Sequence, residues 1–115
     1  MPQEVPRRGE VWLADLDPSR GHQQAGTRPV LVLSRNEFNS GPANLAIVIP
    51  ITTKVRKIPT WVEVVPPEGG LLYLSAILCE GIRSIALDRL VRRLGQVGPQ
   101  TLVQVEFTLR ALLQF

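Results

Sequence analysis

Gly21-His22-Gln23-Gln24-Ala25-Gly26-Thr27-Arg28-Pro29-Val30-Leu31-Val32-Leu33 holds the transition on which the fold turns. Its first half is polar and glycine-containing, and its second half is a short apolar run rich in β-branched residues. Proline followed by Val, Leu and Val favours extended backbone over helix. The polar half closes a connection that begins at Asp17 and spans 13 residues to Pro29. Connections of that length are uncommon in compact domains and are often functional loops. Arg28 stands immediately before the strand, where the sheet fixes its backbone and aims its side chain.

The same reading extends in both directions. Val11 to Asp15 alternates after the boundary at Gly9, and Leu45 to Ile51 is a second apolar run in which Pro50 marks an edge or a bulge. Trp61 to Val65 is a further strand, and Leu72 to Leu78 follows the turn signal Glu68-Gly69-Gly70. Ten prolines cut the chain too often for long helices. Five short strands in about eighty residues indicate a small barrel or a sandwich. After Gly98 and Pro99 the pattern changes. Leu102, Val105, Leu109 and Leu112 recur at helical spacing with Gln104 and Arg110 off the stripe, which predicts one amphipathic helix packed on the sheet. Ser84 to Leu94 stays open, because Leu87, Leu90, Val91 and Leu94 also fit a helix ended by Gly95.

With 115 residues, 44% of them hydrophobic and 20% charged, the chain reads as a single domain over 1–115 with a soluble globular core. One Cys, Cys79, and one His, His22, leave no disulfide framework and no cysteine- or imidazole-rich metal cluster, and point to a reducing cytoplasm. The segment MPQEVPRRGE lacks the apolar core of a signal peptide, and no apolar run reaches the roughly 18 residues of a membrane span. The net charge is +3, and eleven of the thirteen basic residues are Arg. Guanidinium groups grip phosphate oxygens in pairs and stack on bases, so the bias suits a nucleic-acid partner, although Arg also serves surface ion pairs.

Polar groups cluster where the apolar runs end: Arg28, then Thr52-Thr53-Lys54, then Glu80-Gly81-Ile82-Arg83-Ser84. A small barrel can gather such groups into one site. No phosphate-binding loop, dinucleotide turn, serine-hydrolase elbow or H-E-x-x-H helix is present. Asp15 and Asp17 share a strand face but have no third carboxylate to complete a Mg²⁺ cage. An enzyme with this inventory needs a substrate that brings its own nucleophile. RNA does so through its 2′-hydroxyl, leaving the protein to supply a base, an acid and cations for the phosphorane.

Arg8-Gly9-Glu10-Val11-Trp12, Asp15-Leu16-Asp17-Pro18, the string from Gly21 to Val32, Pro50-Ile51-Thr52 and Ile82-Arg83-Ser84-Ile85 with Arg89-Leu90 and Gly95 resemble the MazF/PemK (Kid) family of toxin endoribonucleases. The similarity covers roughly Arg8 to Leu113. The resemblance implies a mainly β fold, a small SH3-like β-barrel with a C-terminal helix. It makes Ile82 to Leu87 a strand, Asp88 to Leu90 a short helical turn, and Val91 onward another strand. It implies a metal-independent, cofactor-free endoribonuclease that cuts single-stranded RNA and leaves 2′,3′-cyclic phosphate and 5′-hydroxyl ends. It also implies a homodimer and a cognate MazE-like antitoxin.

By the same resemblance Arg28 is the essential catalytic group, and Thr52 hydrogen-bonds the scissile phosphate. Glu80 is a third catalytic candidate, for acid–base work or for positioning Arg28. Gln23, Gln24, Thr53, Lys54 and Arg83 are candidates for holding RNA, and His22 is a loop residue. Two residues depart from the family pattern: Gln23 where many relatives carry Glu, and Gly81 where many carry Gln. Trp12 reads as core and Trp61 as a groove-edge aromatic. The CcdB toxins share this barrel yet poison gyrase, so the R-P-V and P-I-T motifs, rather than the fold, favour the ribonuclease. A degenerate relative that only binds nucleic acid or antitoxin is the other alternative.

Overall fold

The computed structural model describes residues 4–16 and 26–115. Seven antiparallel strands form one sheet: β1 (Glu10–Asp15), β2 (Thr27–Val32), β3 (Leu45–Thr52), β4 (Trp61–Val64), β5 (Ser75–Leu78), β6 (Arg83–Ala86) and β7 (Leu90–Gln96). A short helix α1 (Asn36–Asn39) follows β2, and the helix α2 (Pro99–Leu113) closes the chain. The hydrogen-bonded order is β4-β5-β3-β2-β1-β7, with β6 also on β3. Among the described residues this path does not close from β4 back to β7, so the sheet is barrel-like rather than a sealed barrel.

The central strands are apolar on both sides because both faces are covered. Val11, Leu31, Ile49, Ile51 and Ile77 join Val105 and Leu109 of α2 in one buried cluster. Trp12, Ala14, Val30, Val32, Ala46, Val48, Ile85 and Leu90 form a second on the opposite face. This two-sided burial produces the continuous runs at Val30–Val32 and Leu45–Ile51. Trp12 is indeed core, 3% exposed. Its indole N–H donates to Glu10, whose buried carboxylate also accepts from the Arg7 N–H at 2.9 Å and pairs with Arg93 at 3.1 Å.

Pro50 marks an irregularity, as its chemistry predicts. Ile51 pairs with Ile77 and Val48 with Arg83, so β5–β6 contains three more residues than the β3 segment it faces. The excess is taken up by a turn at Cys79–Gly81. A proline, having no N–H for the ladder, is tolerated at such a break. Gly81 packs there so tightly that a Cβ would come within 3.0 Å of Pro50 Cγ.

Three expectations change. Seven strands replace the five read from local pattern, and the strand, helical turn and strand that the resemblance implied from Ile82 onward are present as β6, a turn at Leu87–Arg89, and β7. The helix-like spacing of Ser84 to Leu94 is incidental, since Val91 is exposed. The Leu72 to Leu78 run is a strand only from Ser75. Its partner β4 ends at Val64, and the prolines 66 and 67 that follow bring no N–H to extend the ladder, leaving Leu72, Tyr73 and Leu74 exposed. The α2 stripe is buried at Val105 and Leu109 and partly at Leu102, but Leu112 has left the core.

The start of α2 is secured from a distance. Glu68 Oε2 accepts the Gly98 N–H at 2.8 Å and the Thr101 hydroxyl at 2.6 Å, placing a carboxylate where the first turn has unpaired N–H groups. Gly69 and Gly70, both with left-handed backbone (φ 72° and 71°), bring Glu68 into that position.

Candidate active site

Arg28 and Thr52 come together because two neighbouring strands have matched registers. Val30 pairs with Pro50, Leu31 with Ile49 and Val32 with Val48. Continuing that register two residues past its last pair sets Arg28 opposite Thr52. Side chains alternate along a strand, so both lie on the face that carries Val30, Val32 and Val48 further in. With Gly26, Thr27, Pro29, Ile51 and Thr53 they line a cleft of about 280 Å³. Pockets for drug-sized molecules begin at ~300 Å³, so this one suits a fragment such as one sugar-phosphate unit.

The Arg28 side chain is exposed and makes no hydrogen bond or ion pair with the described residues. The half-buried Thr52 accepts the Lys54 N–H at Oγ1 over 3.1 Å. That bond occupies one lone pair and fixes the oxygen while leaving the hydroxyl proton free to donate. A guanidinium and a positioned hydroxyl are complementary to a phosphate oxygen pair.

Thr53 lines the same cleft, and Lys54 is exposed just beyond it. Arg83, paired with Val48, lies on the same face of the sheet four residues along β3 from Thr52, about 13 Å away. Gln23, Gln24, His22 and Asp17 lie outside the described residues. Glu80 does not line the cleft. Its carboxylate accepts the Thr60 hydroxyl at 2.6 Å and the Trp61 indole N–H at 2.8 Å. Burial pushes this carboxyl up, but the bonds from Thr60, Trp61 and its own backbone N–H outweigh that and hold it below its ordinary value. Beside it, burial and then the Glu80 charge push the Cys79 thiol up to about 11, which keeps it an inert thiol at neutral pH.

The sequence reading missed Gly26 and Thr27 as cleft walls, although both stand next to Arg28. It also missed the partners of Glu80. Thr60 and Trp61 are about twenty residues from it in sequence, and no spacing rule connects them. Among the described residues no group of three His, Cys, Asp or Glu could hold a metal, and no helix is long and apolar enough to cross a membrane.

A curled antiparallel sheet backed by one C-terminal helix, with an arginine and a threonine converging at the ends of two paired strands, defines a class of small, mainly β proteins. Within that class the chain belongs to the PemK-like, MazF-like toxin family of type II toxin–antitoxin systems, whose pattern matches residues 7–113. It is 36% identical over 109 residues to the endoribonuclease MazF9 of Mycobacterium tuberculosis, covering 90% of this chain and 92% of that protein. It superposes on the MazF of a MazE–MazF crystal structure from Deinococcus radiodurans with a TM-score of 0.84 at 29% identity, covering 98% of this chain and 99% of that one. A mycobacterial endoribonuclease solved in complex with its cognate antitoxin gives a TM-score of 0.80 at 29% identity, covering 96% of each chain.

Proposed function

We propose that this protein is the toxin of a toxin–antitoxin module and an endoribonuclease that cuts single-stranded RNA without a metal. The observation that carries the reading is the meeting of Arg28 and Thr52 in one cleft with room for a sugar-phosphate unit. In the reaction the 2′-hydroxyl loses its proton and its oxygen attacks the adjacent phosphorus. The bond from phosphorus to the 5′-oxygen breaks, and that oxygen takes up a proton. A 2′,3′-cyclic phosphate and a 5′-hydroxyl result, with no water consumed. Arg28 neutralises the charge that builds on the phosphorane, and Thr52 donates to one of its equatorial oxygens. Gln23, Gln24, Thr53, Lys54 and Arg83 hold the strand on either side.

The protein acts in the cytoplasm as a homodimer, restrained by a MazE-like antitoxin. Support for self-association is the outer face of α2, where Val103 and Phe107 are exposed, the latter by 72%, although the inner face already covers the core.

Purified protein incubated with a long defined RNA in excess EDTA should yield discrete cuts with cyclic-phosphate ends. Arg28→Ala should slow cleavage by about 10²–10³-fold, the usual cost of one transition-state donor, with the melting temperature unchanged. Products ending in a 3′-hydroxyl, a strict Mg²⁺ requirement, or an Arg28→Ala variant cutting at the parent rate would overturn the reading.

A further inference from the structure

Away from the cleft, a set of polar contacts ties the turn at Cys79–Gly81 to the residues that precede and begin β4. Thr60 Oγ1 donates to Glu80 Oε1, Trp61 Nε1 donates to Glu80 Oε2, and the Thr60 carbonyl accepts the Cys79 N–H at 3.1 Å. Each carboxylate oxygen thereby accepts one hydrogen bond. The connection that ends at this clasp starts inside the Arg28 cleft, where Thr52 and Thr53 are wall residues and Lys54 N–H is bonded to Thr52.

Lys54, Arg56 and Lys57 lie between these two anchors, and all three are exposed. Among the described residues the only carboxylate paired with any of them is Glu63, 3.6 Å from Lys57. The segment has no strand or helix of its own, so its ends decide where the cations stand. Trp61 also lines a groove of about 490 Å³ together with Arg56, Lys57 and Gln104. Moving the indole therefore moves the wall on which two of the cations sit.

We propose that Glu80 is a positioning residue: by clasping Thr60 and Trp61 it holds the cationic segment from Lys54 to Lys57 beside the Arg28 cleft, where that segment binds phosphates of the RNA flanking the cut. This rests on the ribonuclease reading above. Glu80 does not line the Arg28 cleft, so its carboxylate is poorly placed to take a proton from a 2′-hydroxyl held there. It is well placed to fix two side chains.

The test compares Glu80→Ala, Glu80→Gln and the double variant Thr60→Val/Trp61→Phe with the parent. Glutamine preserves the clasp, because its amide oxygen accepts the indole N–H and its amide nitrogen donates to the Thr60 oxygen, but it cannot serve as a base. Glu80→Ala and the double variant should raise KM roughly tenfold, the scale of two or three exposed ion pairs loosened together, with kcat changed less than about threefold. Glu80→Gln should restore KM to within about threefold of the parent. Binding of an RNA carrying a 2′-deoxy residue at the cut should show a shallower salt dependence in the two disrupted variants, by about 0.7 for each phosphate that the segment no longer neutralises.

Amide hydrogen exchange across residues 54–60, read without RNA, should rise in those variants and stay at the parent level in Glu80→Gln. If Glu80→Gln is as inactive as Glu80→Ala, Glu80 handles a proton and the proposal fails. Unchanged KM or unchanged exchange in Thr60→Val/Trp61→Phe also overturns it. Should the parent not cut RNA, the ribonuclease reading falls, and the exchange data still decide whether the clasp holds the segment.

Discussion

Replacing Gly70 by alanine should unseat β7 from the turn that precedes β5. A Cβ at this position would lie 2.1 Å from the Leu94 carbonyl oxygen and 2.6 Å from its carbon, and both are backbone atoms that cannot rotate aside. Gly70 also has φ +71°, where an L side chain costs about 1–2 kcal/mol. Forcing backbone apart in a packed region adds about 1–3 kcal/mol, so the total is roughly 2–5 kcal/mol. For a domain a little over a hundred residues long, each kcal/mol lowers the melting point by about 4 °C, which predicts a fall of about 8–20 °C.

Thermal denaturation followed by far-ultraviolet circular dichroism at one fixed protein concentration measures it, since association would otherwise shift the midpoint. Gly98→Ala is the control. A Cβ there meets nothing closer than Glu68 Oε2 at 3.6 Å, and its φ of −80° suits any residue, so the loss should stay within about 1 kcal/mol. The Gly95→Ala change presses on the same contact from the other side, with a Cβ 2.7 Å from the Gly70 nitrogen. Combined with Gly70→Ala it should cost less than the two separately, because one opened contact relieves both. A Gly70→Ala protein that melts with the parent would refute the packing argument.

Two further outcomes follow from hydrogen bonds that reach across the fold. Glu68→Ala removes a carboxylate that caps α2 through Gly98 and Thr101, and should cost about 2–3 kcal/mol of stability in urea denaturation with the slope of the transition unchanged; an unchanged midpoint would show that the cap is idle. Because the folded-state carboxyl of Glu80 titrates below its ordinary 4.5, its clasp should stabilise the fold above that pH and lose this contribution as acid takes the pH below it. The gap in melting temperature between the parent and Glu80→Ala should therefore be present at pH 6 and close toward pH 3, and a gap that widens in acid would reverse the assigned sign.

How much of the fold is legible in the sequence depends on the range of the interaction. The strands at Glu10–Asp15, Thr27–Val32 and Leu45–Thr52 and the helix at Pro99–Leu113 follow from local pattern and punctuation, which place their ends within a residue or two. The irregularity at Pro50 is also legible, because a missing N–H is a property of one residue. Strand limits set by a partner are not. Leu72 to Leu74 are as apolar as Ser75 to Leu78, and only the place where β4 ends separates them.

The site divides the same way. The arginine at the mouth of β2 and the threonine at the end of β3 can be named from the chain alone, since each is fixed by the strand beside it, and the chemistry proposed for them comes from the resemblance of residues 21–32 and 50–52 to one family. That they occupy one cleft requires the β2–β3 register. The partners of Glu80, the cap from Glu68 and the backbone contact between Gly70 and Leu94 lie about twenty to thirty residues apart in sequence. Sequence by itself determined the strands at 10–15, 27–32 and 45–52, the C-terminal helix, and Arg28 and Thr52 as the candidate pair, because backbone propensity acts residue by residue. Only the tertiary structure decided which polar groups meet, because a hydrogen bond depends on ångström-scale separation between atoms whose distance along the chain carries no information about their distance in space.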